Sequence, residues 1–308
     1  MKHFRKRASA LGFAAALCLM GGPGLADPYD VELHRLGNPT PGGAAHAPDA
    51  NANFRVLMRQ LASAFTLATL APPGTLGHNG FFVGLELGVV HLNTDSFLFP
   101  TRGAFRAPLL VPSLRIRKGL PLSFEVGARL TWMEKSATTG ASFDVKWAFG
   151  DGLSALPDAA IRGHITRLFN TRDFSLTTGG IDLGLGKSFA VGGALTLTPY
   201  GGYDLNWVNA SSNVVDFNPA RDPQTEADTV PERLEDTATF QAVRPGANIH
   251  HRAYLGLRLG VGVLQLTVEG AVVAFSGIQA PSPDDPGTLI DRSLPAVLAL
   301  NSSLALAF

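Results

Sequence analysis

The last eight residues of the chain, "NSSLALAF" at positions 301–308, alternate between polar or small residues and apolar residues. In an extended segment Leu304, Leu306 and Phe308 share one face, while Asn301 and Ser303 lie on the other. Chain ends are usually poorly ordered unless a sheet or a packed helix holds them. An apolar alternating segment that reaches the terminal carboxylate therefore predicts that this end is a strand built into a sheet.

The same period of two extends back along the chain to residue 80. In "FFVGLELGVV" at 81–90, apolar residues alternate with Gly84, Glu86 and Gly88, and similar segments recur up to the C-terminus. The pattern predicts about ten strands, within a range of eight to twelve. The connections between them alternate between short turns and long segments, of which 208–248 is the longest and is strongly acidic.

The start of the chain has the composition of an export signal. Lys2, Arg5, Lys6 and Arg7 precede an apolar run from 8 to 20, and a small-x-small motif ends at Ala26. This pattern predicts a secretory signal peptide over 1–26, cleaved after Ala26. Cys18 is the only cysteine of the chain and lies inside this segment, so a disulfide or a cysteine metal site is not expected in the mature protein.

Composition narrows the class of protein further. Only 16% of the 308 residues are charged, and Lys plus Arg equal Asp plus Glu at 25 each, so no basic field indicates nucleic acid as a partner. After residue 26 no apolar run is long enough for a helical membrane span. An exported chain of alternating strands can enter a bilayer only as a closed barrel, because every backbone polar group must be paired there.

We therefore predict an all-β fold, a transmembrane antiparallel up-and-down β-barrel over 80–308. A soluble β-sandwich would also alternate, but its outer face would be the polar one. Here the apolar face is nearly free of charge through the strand centres, as a lipid-facing surface requires. The polar face carries acids and bases in near balance and is expected to form a lumen charge network of Glu86, Arg115, Arg117, Glu125, Arg129, Asp144, Lys146, Arg162, Asp182, Asp204, Arg252, Arg258 and Glu269.

Bulky aromatic residues near the strand ends predict two girdles at the membrane interfaces. Trp147 falls closer to mid-height in this interpretation. The predicted girdle residues are Phe81, Phe124 and Phe149 at the periplasmic ends, and Trp132, Phe143 and Trp207 near the external ends.

Residues 27–79 precede the strands. Residues 27–52 are rich in Pro, Gly, Ala and Asn and are expected to be a flexible periplasmic lead-in. An apolar spacing of three to four residues predicts a short amphipathic helix over about 53–70, which ends before Pro72. This helix could plug the barrel, lie on the inner leaflet or pack under the rim.

With its signal peptide, its alternating strands and its ending "SLALAF", the chain resembles bacterial outer-membrane β-barrel proteins of Gram-negative organisms as a class. The resemblance implies an outer-membrane location, with the lipid bilayer as the surroundings of the chain. It also implies that Leu304, Leu306 and Phe308 act as the signal that the barrel-assembly machinery recognises.

The expected function is that of a narrow channel or transporter for small polar solutes, or of a structural surface protein, without catalytic activity. About ten strands leave little interior beyond side chains. The alternative is a surface enzyme or an adhesin that uses the 208–248 loop. An omptin-like protease would draw on His250, His251 and Asp95 at the outer rim, whereas a lipase would need a serine and a histidine in register.

No cofactor or metal is predicted. The acidic loop lacks the spacing of a calcium-binding loop, and the glycines follow the strand faces and form no phosphate-binding loop. His164 is expected to point inward and to belong to the lumen network.

Overall fold

The computed structural model describes residues 27–66, 68–92, 99–150, 156–219, 236–282 and 285–308. The predicted signal peptide at 1–26 and Asp95 lie outside these residues. In the described part of the chain, no helix is long and apolar enough to cross a membrane.

Ten long antiparallel strands form a closed barrel, as predicted. Each strand pairs with its neighbours in chain order, and the last strand pairs with the first. A short strand, Phe189–Val191, pairs only with the seventh barrel strand. The barrel strands are β1 (Phe81–His91), β2 (Leu109–Gly119), β3 (Phe124–Trp132), β4 (Thr139–Trp147), β5 (Asp158–Phe169), β6 (Phe174–Gly186), β7 (Leu195–Ser212), β8 (Ile249–Val261), β9 (Leu264–Phe275) and β10 (Val297–Ala307).

The C-terminal residues close the barrel at the seam between β10 and β1. Leu304 pairs with Leu85 and Leu306 with Val83. Beyond the last paired residues, the Phe308 amide donates to the Phe81 carbonyl over 2.9 Å. The apolar ending of the chain is therefore a complete barrel strand, as its alternation predicts.

The two faces of the wall have the predicted polarity. Outward leucines along the strands are about half exposed, for example Leu85 at 55% and Leu304 at 54%, whereas inward charges such as Arg115 and Glu269 are fully buried. A soluble sheet would have the opposite arrangement. The exposed apolar belt identifies the outer surface as lipid-facing.

Connection lengths distinguish the two ends of the barrel. We call the end with the long connections, including 92–108, 213–248 and 276–296, the loop end. The other end, with connections such as 120–123, 187–194 and 262–263, is the turn end. In transmembrane barrels the long loops are external and the short turns periplasmic.

Phe124 and Trp132 lie at the two ends of β3, whereas the height predicted for Phe143 in β4 is wrong. Phe143 lies at the centre of β4, opposite Ala128, and not near the external end. Trp147, expected closer to mid-height, ends β4 at the turn end and stacks on Phe124 with ring centroids 5.8 Å apart. The small and polar residues at 139–142 belong to β4, so the strand begins earlier than its aromatic residues suggest.

Residues 27–38, part of the predicted lead-in, pack against the loop end of the barrel. Tyr29 donates its amide to the Lys135 carbonyl, and Val31 forms a bridge with Thr101, so residues 27–38 lie across the loop end. A 16-residue helix, α1 (Ala50–Phe65), then enters the lumen, and residues 68–76 continue without regular secondary structure towards the turn end. The helix ends five residues earlier than the expected 53–70, because the barrel wall binds the backbone that follows it.

Candidate functional site

The upper lumen, near the loop end, is apolar and holds α1. Nearly every residue of the helix after Phe54 is buried. Inward residues at the loop ends of the strands pack with it in one hydrophobic cluster, among them Val90, Val111, Leu168 and Val273. The phenyl rings of Phe54 and Phe240 stack with centroids 4.9 Å apart. Burial of this face explains why the sequence forms a helix here and why the helix lies inside the barrel.

Two arginines fix the helix at different heights. Arg59 of α1 donates to the Asn248 side chain and to the carbonyls of Ala247 and Ser276, all at the loop end. From the wall, Arg129 donates to the Phe65 and Thr66 carbonyls over 3.0 and 3.2 Å. These are unpaired carbonyls at the helix C-terminus, where a cation is favoured by the helix dipole.

Below the helix the wall binds the peptide backbone of residues 68–70. The Glu269 carboxylate accepts the amides of Thr69 and Leu70 over 3.3 and 2.7 Å. Arg115 donates to the Ala68 and Thr69 carbonyls, each over 2.9 Å. We call this set of contacts the backbone clasp. Because bonds to charged groups are the strong ones, it holds the segment firmly across the lumen.

Three more arginines complete the backbone clasp. Arg162 donates to the Thr69 carbonyl, Arg252 to the Thr69 hydroxyl and Arg258 to the Leu70 carbonyl. Leu70 has a positive φ of 41°, which costs a branched side chain about 1–2 kcal/mol. Such a conformation persists only where its surroundings hold it. Here Glu269, which accepts the Leu70 amide, and Arg258, which donates to the Leu70 carbonyl, provide that restraint.

A second set of contacts holds the segment near the turn end. Lys146 donates to the Gly74 carbonyl over 2.8 Å, and Glu125 accepts the Leu76 amide over 2.6 Å. Lys146 and Glu125 also form an ion pair of 3.1 Å with each other. The segment is thus attached to the barrel along its length, and the lumen is plugged in this state.

The predicted lumen residues all lie on the inner face, and ion pairs connect most of them. Arg115 lies between Glu86 at 3.6 Å and Asp144 at 3.0 Å. Arg252 forms ion pairs with Glu269 and with Asp204. The remaining ion pairs between wall residues are Arg129 with Glu86, Arg117 with Glu125, and Arg162 with Asp182. His164 Nε2 lies within hydrogen-bonding distance of Asp204, at 3.0 Å.

Two tyrosines cross the lumen beside these charges. The Tyr200 hydroxyl donates to Glu269 over 3.0 Å, and the Tyr254 hydroxyl donates to Asp182 over 2.6 Å. Gly256 makes room for Tyr200, because a Cβ at this position would lie 2.3 Å from its ring. Inward glycines therefore have a packing role in the lumen.

The histidines considered for a rim protease do not form a pair. Ile249 begins β8, so consecutive side chains point to opposite sides of the wall. His250 is buried in the lumen at 1% exposed, whereas His251 faces outward and bonds to the Tyr203 hydroxyl. His164 points inward as predicted. Among the described residues no group of three or more His, Cys, Asp or Glu side chains is arranged to hold a metal.

The plug, which consists of α1 and residues 68–76, is the functional element whose position the sequence interpretation left undecided. Its contacts use backbone amides and carbonyls, which every residue carries, so no residue type marks them. One signal was available at the loop end. At Leu109–Val111 and at Val272–Val273 apolar residues follow one another, so both faces of the strand are apolar where the helix packs.

Comparison with known proteins yields solved structures alone, since no protein-family model and no curated protein matches the chain. The outer membrane protease OmpT from Escherichia coli is 11% identical, with a TM-score of 0.35 over 75% of this chain and 97% of that one. The transport unit of the autotransporter AIDA-I from Escherichia coli is 9% identical, with a TM-score of 0.39 over 85% and 99%. Ail of Yersinia pestis is 8% identical, with a TM-score of 0.26 over 75% and 100%.

The geometry of the chain itself establishes its class. Ten antiparallel strands close without a free edge, an apolar belt faces outward and long loops occupy one end. A bilayer accommodates this arrangement, because each strand is paired with a neighbour on both sides around the barrel and the exposed belt is apolar. The chain is a transmembrane β-barrel of the Gram-negative outer-membrane type.

Proposed function

We propose that the protein is a narrow outer-membrane channel for small polar solutes, kept closed by its own N-terminal segment and without catalytic activity. The observation that carries this proposal is the charged lower half of the lumen, which lies between α1 and the turn end. Burying ion pairs is often less stable than burying apolar side chains of similar volume, so a purely structural barrel gains little from this wall. A wall of fixed charges suits a lumen that water and solutes enter when the plug moves.

The different chemistry of the two halves of the lumen supports the proposal that the plug can move. The apolar upper half matches α1, whereas the lower half binds the plug through separate polar contacts that water could replace one by one. A displaced plug would leave charged side chains that hydrate readily. The loop end and turn end would then be connected along the charged wall.

Electrical recording in planar bilayers tests this function. The wild-type protein is expected to give a quiet baseline with rare openings, because the plug is held at both levels. Glu269→Gln keeps the side-chain shape but replaces charge-assisted bonds to the Thr69 and Leu70 amides by bonds about half as strong. We expect frequent small conductance steps from this variant.

Glu134→Gln is the matched control, since Glu134 pairs with Lys135 in the loop-end connection and touches no plug residue in the described contacts. It is expected to record like the wild type. Folding of each variant is checked by the difference in migration between boiled and unboiled samples. Complete silence of wild type and of folded Glu269→Gln at all voltages would leave a closed structural barrel and contradict the channel.

A further inference from the structure

A cavity of about 210 Å³ opens at the turn end, between the plug and the wall of β7 to β9. Its polar lining consists of Arg258, Thr75, Ser188, Thr196, Thr198 and Gln265. None of its described lining residues is an acid. This composition differs from the rest of the lumen, where acids and bases alternate.

Arg258 is the one charged group in the described lining of this cavity. Its Nε donates to the Thr267 hydroxyl over 3.3 Å and its Nη2 to the Leu70 carbonyl over 2.9 Å. No carboxylate of a described residue lies within 4.0 Å of its guanidinium. Arg258 therefore carries a charge that no described acid neutralises directly.

The nearby acids are already engaged. Glu125 is held by Arg117 and Lys146, and Glu269 by Arg252 and by the amides of the backbone clasp. Arg117 adds a second positive charge near Arg258, and Arg258 is the charged residue of the described cavity lining. The hydroxyls around the cavity can donate as well as accept, and they suit an anion as partner.

We propose that this turn-end cavity is a binding site for a small inorganic anion, with Arg258 as its cationic centre and the hydroxyls of Thr196 and Thr198 as further donors. The inference rests on the proposed function and deepens it, because it makes small anions the solute class of the channel. The site opens at the turn end, so it takes its anion from the periplasmic side. Since the same guanidinium holds Leu70, the anion binds directly beside the backbone clasp.

Calorimetric titration of the folded full chain in a sugar-headgroup detergent, with inorganic phosphate and with sulfate, tests the site. We expect saturable binding with a Kd of about 1 mM, the range of a weak solute site. Arg258→Gln is expected to raise the Kd at least tenfold, because the central charge is lost. Lys118→Gln removes an exposed charge that contacts the Asn79 carbonyl at the same end and should leave the Kd unchanged.

Two further variants separate a lost site from a disturbed fold. Arg258→Lys keeps the charge and should bind within about threefold of the wild type, whereas Thr196→Val with Thr198→Val removes two donors and should weaken binding. Absence of saturable binding to the wild type, or equal binding by folded Arg258→Gln, would overturn the site. Competition by short-chain phosphatidylglycerol without any binding of inorganic phosphate would also overturn it, in favour of a headgroup site.

Binding is measured without any current, so its failure is distinct from failure of the channel. A chain that binds phosphate but stays silent in bilayers would retain the anion site and lose the proposed function. A chain that conducts without anion binding would retain the function and lose this inference.

Discussion

Replacing Glu269 by Ala is expected to lower the free energy of unfolding by about 3–5 kcal/mol, because removing one partner of a buried ion pair leaves the other charge uncompensated. Glu269 is fully buried and is the ion-pair partner of Arg252. It also accepts the Tyr200 hydroxyl and two plug amides. The substitution therefore leaves several buried donors without an acceptor. Tryptophan fluorescence during urea unfolding from lipid vesicles measures the change.

Glu134→Ala provides the control for Glu269→Ala. Lys135, its ion-pair partner, is largely exposed, so a loss of about 0–1 kcal/mol is expected. The double variant Glu269→Ala with Arg252→Ala removes both charges and should be less destabilised than the two single variants added together. A loss below about 1 kcal/mol for Glu269→Ala would mean that the backbone clasp is too weak to hold the plug.

The second large effect concerns the lipid-facing belt. Leu255 is 74% exposed at the centre of β8, so Leu255→Arg would place a charge near the bilayer midplane. Such a substitution costs about 2–4 kcal/mol in a transmembrane barrel. We expect a matching loss in unfolding free energy and less of the unboiled folded form on a detergent gel.

Leu122→Arg is the matched control for this charge. Leu122 is 83% exposed in the turn between β2 and β3, outside the span of the strands. An arginine at an interface costs about 0–1 kcal/mol, so this variant should fold like the wild type. Equal effects of the two arginines would be incompatible with a lipid-facing belt over the strand centres.

The faces of the strands could be predicted from the sequence because side chains alternate with a strict period of two. Once Phe81 and Leu304 are assigned to the lipid-facing side, the alternation predicts which charged residues of the strands face the lumen. Height along a strand is not fixed in this way. Phe143 and Trp147 share a face, so the alternation could not show which of them lies at the girdle.

The plug could be predicted only in part. Apolar spacing indicated a helix that buries one face, and the lumen was one of three positions open to it. Ala68 continues that spacing, so the apolar pattern does not predict an end of the helix at Phe65. The helix ends there because Arg129 binds the Phe65 and Thr66 carbonyls and Glu269 binds the amides at 69 and 70, which a longer helix would pair with each other. Such competition between wall and helix depends on the closed barrel and is invisible in local sequence.

The consecutive histidines at a candidate site show again that local sequence does not determine where side chains lie in the barrel. His250 and His251 adjoin an acidic loop in sequence, which suggested a rim position. The structure starts β8 at Ile249, so the two rings lie on opposite sides of the wall. Whether His250 and His251 lie together in a loop or on opposite faces of a strand depends on the residue at which β8 begins.

The central claim is that the N-terminal segment runs through the barrel from the external loop end to the periplasmic turn end. Thr40 and His78 are both exposed and lie before and after the plug. In a Cys18→Ser background, Thr40→Cys and His78→Cys would each carry a single thiol for a membrane-impermeant maleimide. We predict that Thr40→Cys is labelled on intact cells and His78→Cys only after the outer membrane is permeabilised. Labelling of Thr40→Cys only after permeabilisation would place the segment in the periplasm and contradict the plugged barrel.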